Sequence, residues 1–419
     1  MFKRLMICYL PAADLRRIDP GICPHIATLL SDCPSVRFRA QPSTDQLATI
    51  LSGTWPHEHG MWGPRLRPDW RQRRPVQRLI DQLPDLLTVT GQGVRHLING
   101  PLDLATMPPR RRRRFDWLRF NVKFARDVAR MTRTVNGLPS VFTVAGAAPS
   151  RFVYHDDRWN LERLLAGVGN GDHRLEMVDC HCLDHSQHWN MADEAFVRDT
   201  YRLVDAFVAA LHAKCRAQGI GFVLFSDHGT EPVSRVIDLP AELARLDLPP
   251  DSFDVFIEYS KATFWFHEPI AERRISEALG SRSDGRLLAF PELRRYQLHF
   301  TDNRYGDAYF YPEPGATLYP NDFQHPLANM ITALRDRQQR RRLSIPWHQA
   351  EHGYLSEADS ERGFMVLADD GWEAAAEDEV ALIDLAPTWL RLLGLEPAAT
   401  MRGRPVFLPR SRRSATAAS

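Results

Sequence analysis

The sequence has no dense cysteine framework, no long apolar run and almost no net charge, and each lack removes a class of protein. Six cysteines in 419 residues (Cys8, Cys23, Cys33, Cys180, Cys182 and Cys215) are too few and too scattered for a disulfide scaffold, and fit a cytoplasmic protein with free thiols. No stretch approaches the roughly 20 apolar residues that span a bilayer, so no transmembrane segment is expected. The apolar run Leu5–Leu10 is followed by Pro11, Asp14, Arg16 and Arg17 without a small-residue cleavage pattern, and reads as a first buried strand, not a secretion signal. A net charge of +1 argues against a nucleic-acid polymer as partner through general electrostatics. The run Arg110–Arg114 reads as a solvated loop or as a patch that steers an anion.

What is present is ordinary for a soluble globular chain: 44% hydrophobic and 25% charged residues, enough for a sizeable core. Short apolar runs alternate with amphipathic stretches, the pattern of an α/β protein. Strands are expected at Leu5–Leu10 and Phe222–Phe225, and helices at Ile22–Leu30, Asp45–Leu51 and Ala192–Arg216. In the last of these, Phe196, Leu203, Phe207, Val208 and Leu211 recur at helical spacing. The order helix, glycine, apolar strand, polar tip places functional groups at the carboxyl ends of parallel strands. Residues 1–408 read as one domain. Two insertions, about 64–145 and about 240–335, read as a cap; the second contains strand-like runs at Val255–Phe266 and Ala308–Tyr311. The tail 409–419 has no apolar periodicity and reads as disordered.

Several segments carry potential chemistry. Ser226-Asp227-His228-Gly229 ends a strand, and its adjacent Asp and His can both enter one cleft, where oxygen and imidazole together suit zinc or manganese. In Asp184-His185-Ser186-Gln187-His188, residues four apart face the same way, so Asp184 and His188 can chelate one ion. Cys180 and Cys182 raise a competing Cys/His zinc site, but a second Cys-x-Cys or Cys-x-x-Cys partner is missing. His352-Gly353 reads as a constrained turn. Pro42-Ser43-Thr44-Asp45 precedes a helix, where a hydroxyl can serve either as an N-cap or at a point that favours developing negative charge.

Taken together, this set resembles the alkaline phosphatase superfamily, and most of all its type I phosphodiesterase/nucleotide pyrophosphatase branch. Thr49–Gly60, with Gly53 and then Pro56-His57-Glu58-His59-Gly60, resembles the segment after that family's nucleophile, and counting back ten residues from Gly53 lands on Ser43. Asp184 and His188 resemble the Asp-x-x-x-His ligand pair of one metal site, and the late His352-Gly353 resembles the histidine that completes it. Asp227-His228 resembles the pair of the other site. Tyr305-Gly306-Asp307, Pro314-Gly315 and Leu385–Thr388 also fall in the family's order, so the match runs almost end to end. A sulfatase is disfavoured, because the positions two and four after the nucleophile are Asp45 and Leu47 in place of Pro and Arg.

The resemblance implies a central, mostly parallel sheet with helices on both faces and cap insertions. It implies a metal-dependent hydrolase of small phosphate esters, with Ser43 as nucleophile and two divalent ions, zinc first and manganese as the alternative. One position departs from the pattern. Where the family ends its first strand with a metal-binding Asp, this chain has Tyr9 or Leu10, and Asp14 is the nearest carboxylate that could stand in. Two further readings use the same residues: a catalytically impaired member that binds a ligand or partner, and a phosphoryl-group transferase.

Overall fold

The computed structural model describes residues 1–42, 46–62, 133–146, 150–322, 326–375 and 380–410. Ser43, Thr44, the arginine run 110–114 and the tail from 411 onward lie outside the described residues, as does most of the first insertion.

Six strands form the central sheet: β1 (Leu5–Tyr9), β2 (Ser35–Arg39), β3 (Ser150–His155), β4 (Leu175–Cys180), β5 (Gly221–Ser226) and β10 (Arg362–Leu367). Their order across the sheet is β2-β10-β5-β1-β4-β3. β1 lies at the centre and pairs parallel with β4 and β5, while β10 runs against its neighbours β5 and β2. The sheet is therefore mostly parallel, as the alternating pattern of the sequence implies. Buried on both faces, β1 and β5 read as nearly continuous apolar runs, while the equally buried β4 carries Glu176 and Asp179.

Side chains alternate between the two faces and sort into two cores. Ile7, Tyr9, Met177 and Phe225 pack with α2 (Leu47–Ser52) and α6 (Leu385–Leu392). Met6, Cys8, Val178 and Leu224 pack with α1 (Pro24–Asp32) and α4 (Glu194–Ala217). The buried stripe of α4 runs through Val197, Tyr201, Val204, Val208 and Leu211, steps of three and four that keep one face inward. Leu203, which the sequence pattern places in that stripe, is 39% exposed instead. α2 begins at Leu47 with Gln46 at its N-cap, two residues later than the pattern suggests.

Val255–Phe266 is not one strand but a hairpin, β6 (Phe253–Ile257) and β7 (Ala262–Phe266), turned at Glu258–Lys261. With β8 (Gly285–Ala289) and β9 (Ala308–Pro312) it makes a separate four-stranded antiparallel sheet, ordered β6-β7-β9-β8. Helix α5 (Pro269–Gly280) joins its core through Ile275 and Leu279. The other face carries Tyr309 and Tyr311, which cluster with Trp62 and Tyr305.

Candidate metal centre

The site forms at the carboxyl ends of β1, β4 and β5, where a parallel sheet leaves a crevice. Just after β4, helix α3 (Cys182–Asn190) carries Asp184 and His188 one turn apart on its inward face. His188 Nε2 lies 3.1 Å from Asp184 Oδ1, and His352 Nε2 lies 3.4 Å from the same oxygen. These three residues, far apart in sequence, present ligand atoms within 4.8 Å of one another. His228, at the tip of β5, stacks on His352 with ring centroids 3.9 Å apart.

A short backbone ladder brings the two histidine turns together. Ala350 and Glu351 pair antiparallel with Pro232 and Glu231, so the strand that follows Asp227-His228 is tied to the one that leads into His352. Gly353 then turns the chain with φ of 81°, a conformation that favours glycine. The carboxylate of Glu361 accepts the N–H groups of Gly353 and Tyr354 at 3.0 and 3.2 Å, which fixes that turn from beneath. Burial pushes the Glu361 carboxyl up to about 7.

The hydrogen bonds of the histidines leave their other nitrogens open. His188 Nδ1 is 2.8 Å from the carbonyl of Ala350, and His228 Nδ1 is 2.8 Å from that of Gly229, so in each ring Nε2 is the nitrogen left available to a ligand. Burial opposes ionisation of Asp184, but attraction to His188 together with hydrogen bonds from His181, His188 and His352 outweighs it and holds the carboxyl well below its usual range. Burial likewise opposes the charge on His188, yet Asp184 and Glu351 push it up to about 9. His352 is driven well below its usual range by burial and by the neighbouring His228.

The donor set fits a divalent cation. Asp184 Oδ1, Asp227 Oδ1 and His352 Nδ1 are all buried and have no hydrogen-bond partner, despite the imidazole nitrogens close to Asp184. Buried carboxylate oxygens without donors are costly, and a cation between oxygen and imidazole lone pairs removes that cost. Two imidazoles and a carboxylate form the three-ligand set that leaves a coordination position open, as in catalytic zinc sites.

Asp227 and His228 border this centre but do not complete a second one in the same way. Among the described residues they belong to no group of three converging His, Cys, Asp or Glu ligands. Tyr9, at the end of β1, donates to Asp227 Oδ2 at 2.7 Å, filling the place where a strand-end carboxylate was expected. Asp14, the nearest carboxylate in sequence, is paired with Arg16. Arg16 holds both of its oxygens, with Nε at 3.0 and 3.1 Å and Nη2 at 2.7 Å. Asp14 packs closely under the turn after β5: a Cβ on Gly229 would meet Asp14 Cγ at 2.8 Å, so a larger residue there would push Asp14 aside.

Ser43 lies outside the described residues, but its flanks are held. Tyr311 donates to the carbonyl of Pro42 at 3.1 Å, and the Gln46 amide donates to the carbonyl of Gln41 at 2.8 Å. Thr49 Oγ1 lies 3.1 Å from Nε2 of His59, whose pKa burial lowers to about 3. Sequence reasoning missed Tyr311, Glu361 and the pair His348–Glu351. His348 Nδ1 lies 2.7 Å from Glu351 Oε2, and its ring centroid is 4.1 Å from that of His188. The only available signal for it was the His-x-x-Glu spacing before His352.

Comparisons with known proteins place the fold and the family. The chain resembles solved structures of murine ectonucleotide pyrophosphatase/phosphodiesterase 5, at TM-score 0.63 and 11% identity, covering 94% of this chain and 96% of that one. The human counterpart aligns at TM-score 0.62 and 11% identity, with the same coverage. An inactive variant of the murine protein in complex with AMP aligns at TM-score 0.60 and 12% identity, over 94% and 96% of the two chains. No curated protein sequence matches. The family description "Type I phosphodiesterase / nucleotide pyrophosphatase" matches residues 12–381. The chain belongs to the type I phosphodiesterase/nucleotide pyrophosphatase family, within the alkaline phosphatase superfamily.

Proposed function

We propose that this chain hydrolyses small phosphate esters, with phosphodiesters or nucleotide pyrophosphates as the preferred class, using a divalent cation and Ser43 as nucleophile. The observation that carries the reading is the convergence of Asp184, His188 and His352 around a carboxylate oxygen with no hydrogen-bond partner, beside His228. Zinc suits the nitrogen-and-oxygen donors best, and manganese is the alternative. What a bound divalent cation supplies here is neutralisation of phosphate charge and activation of an oxygen nucleophile.

The residues of the chain divide the remaining work. Ser43 Oγ forms a bond to phosphorus as the bond to the departing alcohol breaks, and its proton leaves with that alcohol. Water then cleaves the phosphoseryl ester and returns the proton to Ser43. The two hydrogen bonds at Pro42 and Gln46 hold the approach to Ser43 from either side. His228 and His352, stacked and buried, exclude bulk water from one wall of the centre. The six unpaired cysteines support a reducing, cytoplasmic setting.

One specific observation favours a second reading, a ligand-binding member with impaired turnover: Tyr9 occupies Asp227 where a metal-binding carboxylate was expected. An assay separates the two. Zinc-loaded chain is tested against aryl phosphate diesters and monoesters and a nucleotide diester. Turnover that chelation removes supports the hydrolase. Tight nucleotide binding without turnover of any of them supports the binder.

A further inference from the structure

Asp184 uses only one of its oxygens in the centre described above. The other, Oδ2, lies 3.4 Å from Nδ1 of His181, the residue that caps helix α3. His185, one residue after Asp184 on the same helix, presents a nitrogen to the same space, and the ligand atoms of His181, Asp184 and His185 lie within 4.8 Å of one another. We infer that His181, Asp184 and His185 form an additional divalent-cation site, with Asp184 bridging it to the ion held by His188 and His352.

Three observations point this way. First, the ligand types are mixed: two imidazoles and one carboxylate, the borderline donor set that zinc takes and that calcium or magnesium does not. Second, Nδ1 of His185 is buried and has no hydrogen-bond partner; the nearest carboxylate oxygen, on Asp156, is 3.9 Å away. Third, His181 is already oriented: its Nε2 lies 2.9 Å from Oδ1 of Asp179, itself 2% exposed, leaving Nδ1 turned towards Asp184. A carboxylate behind a ligating imidazole fixes its orientation and raises its basicity.

The rival occupant is a proton on His181, held between Asp179 and Asp184. That proton accounts for His181 and leaves the buried nitrogen of His185 without a partner. A cation accounts for both. Local sequence explains why the site can exist: His181, Asp184 and His185 are spaced by three and by one residue, so a single turn of helix gathers them without help from any other strand.

The inference rests on the metal-centre reading above, and the test keeps the two apart. The full chain is dialysed against zinc, freed of excess, and its bound zinc counted by mass spectrometry of the metal, with cobalt absorption spectra as a second readout. His185→Gln and His352→Gln are measured beside it. Nδ1 of His185 has no hydrogen-bond partner, and the backbone bond from His185 N–H to the carbonyl of His181 does not depend on the side chain, so its replacement leaves the fold intact. The expected result is that His185→Gln binds one ion fewer than the unaltered chain while keeping the ion that His352→Gln loses. Equal zinc content in His185→Gln and the unaltered chain, with a loss only in His352→Gln, overturns the additional site and leaves the first centre standing. A chain that binds no zinc overturns both.

Discussion

Tyr9 Oη donates a 2.7 Å hydrogen bond to Oδ2 of Asp227, joining the ends of two adjacent parallel strands at the floor of the metal centre. The tyrosine ring is stacked on Phe225 at 4.4 Å, which fixes the hydroxyl in place. Tyr9→Phe keeps that packing and removes only the donor. It leaves a buried carboxylate oxygen without its strongest partner, at a cost of about 1–3 kcal/mol. Denaturant unfolding of chelated protein should show that loss, and added zinc should recover part of it. Equal stability of Tyr9→Phe and the unaltered chain would mean that this bond contributes nothing.

Ser43→Ala should remove turnover, by roughly 10³-fold or more, because a nucleophile acts as part of a unit whose loss is not compensated by its neighbours. Zinc content should not change, since Ser43 is not among the proposed ligands Asp184, His188 and His352. Rate and metal content measured on one preparation decide the matter. Full phosphodiesterase activity in Ser43→Ala rejects Ser43 and makes Thr44 the next candidate.

The parts of this molecule that local sequence encodes were legible, and those that depend on distant partners were not. β1, β5 and α4 announce themselves by periodicity, and Asp184 with His188 by a spacing that any helix converts into proximity. The pairing of Asp227-His228 with His352 depends on the short Glu231–Glu351 ladder, which leaves no local mark; only the order of motifs suggested it. Asp14 illustrates the opposite case. As the nearest carboxylate in sequence it was the natural stand-in for a missing ligand, but Arg16 is two residues away and captures it first. Leu203 shows that a helical stripe inferred from apolar residues can be rotated by one position, because the stripe is set by what packs against it.

Metal removal should destabilise the chain, and more so at high pH. Ligand binding stabilises the folded state by about 4 kcal/mol at a thousand times the dissociation constant. Without an ion, His188 carries a proton up to about 9, because Asp184 and Glu351 attract it more than burial resists. Zinc must displace that proton, so its affinity should fall roughly tenfold per unit as pH drops below about 9. Calorimetric titration of chelated protein with zinc in two buffers of different ionisation enthalpy counts the protons released. An affinity that does not change between pH 6 and 8 contradicts the assignment of His188 as a ligand.

Glu361 gives a pH dependence of the opposite origin, visible in metal-free protein. Burial raises its carboxyl from an ordinary 4.5 to about 7. A raised folded-state pKa means that folding favours the protonated form. The associated stability is therefore complete below about 4.5, declines as pH rises through the window from 4.5 to 7, and is absent above it. The shift corresponds to about 3 kcal/mol at full extent. Glu361→Gln keeps an acceptor for the N–H groups of Gly353 and Tyr354 and cannot ionise. Its stability relative to the unaltered chain should improve by about 2–3 kcal/mol between pH 4.5 and pH 8, with most of the change falling between 4.5 and 7. Urea unfolding at four pH values in the presence of chelator measures this, and a stability difference that stays flat across that window rules out a buried, proton-bearing Glu361.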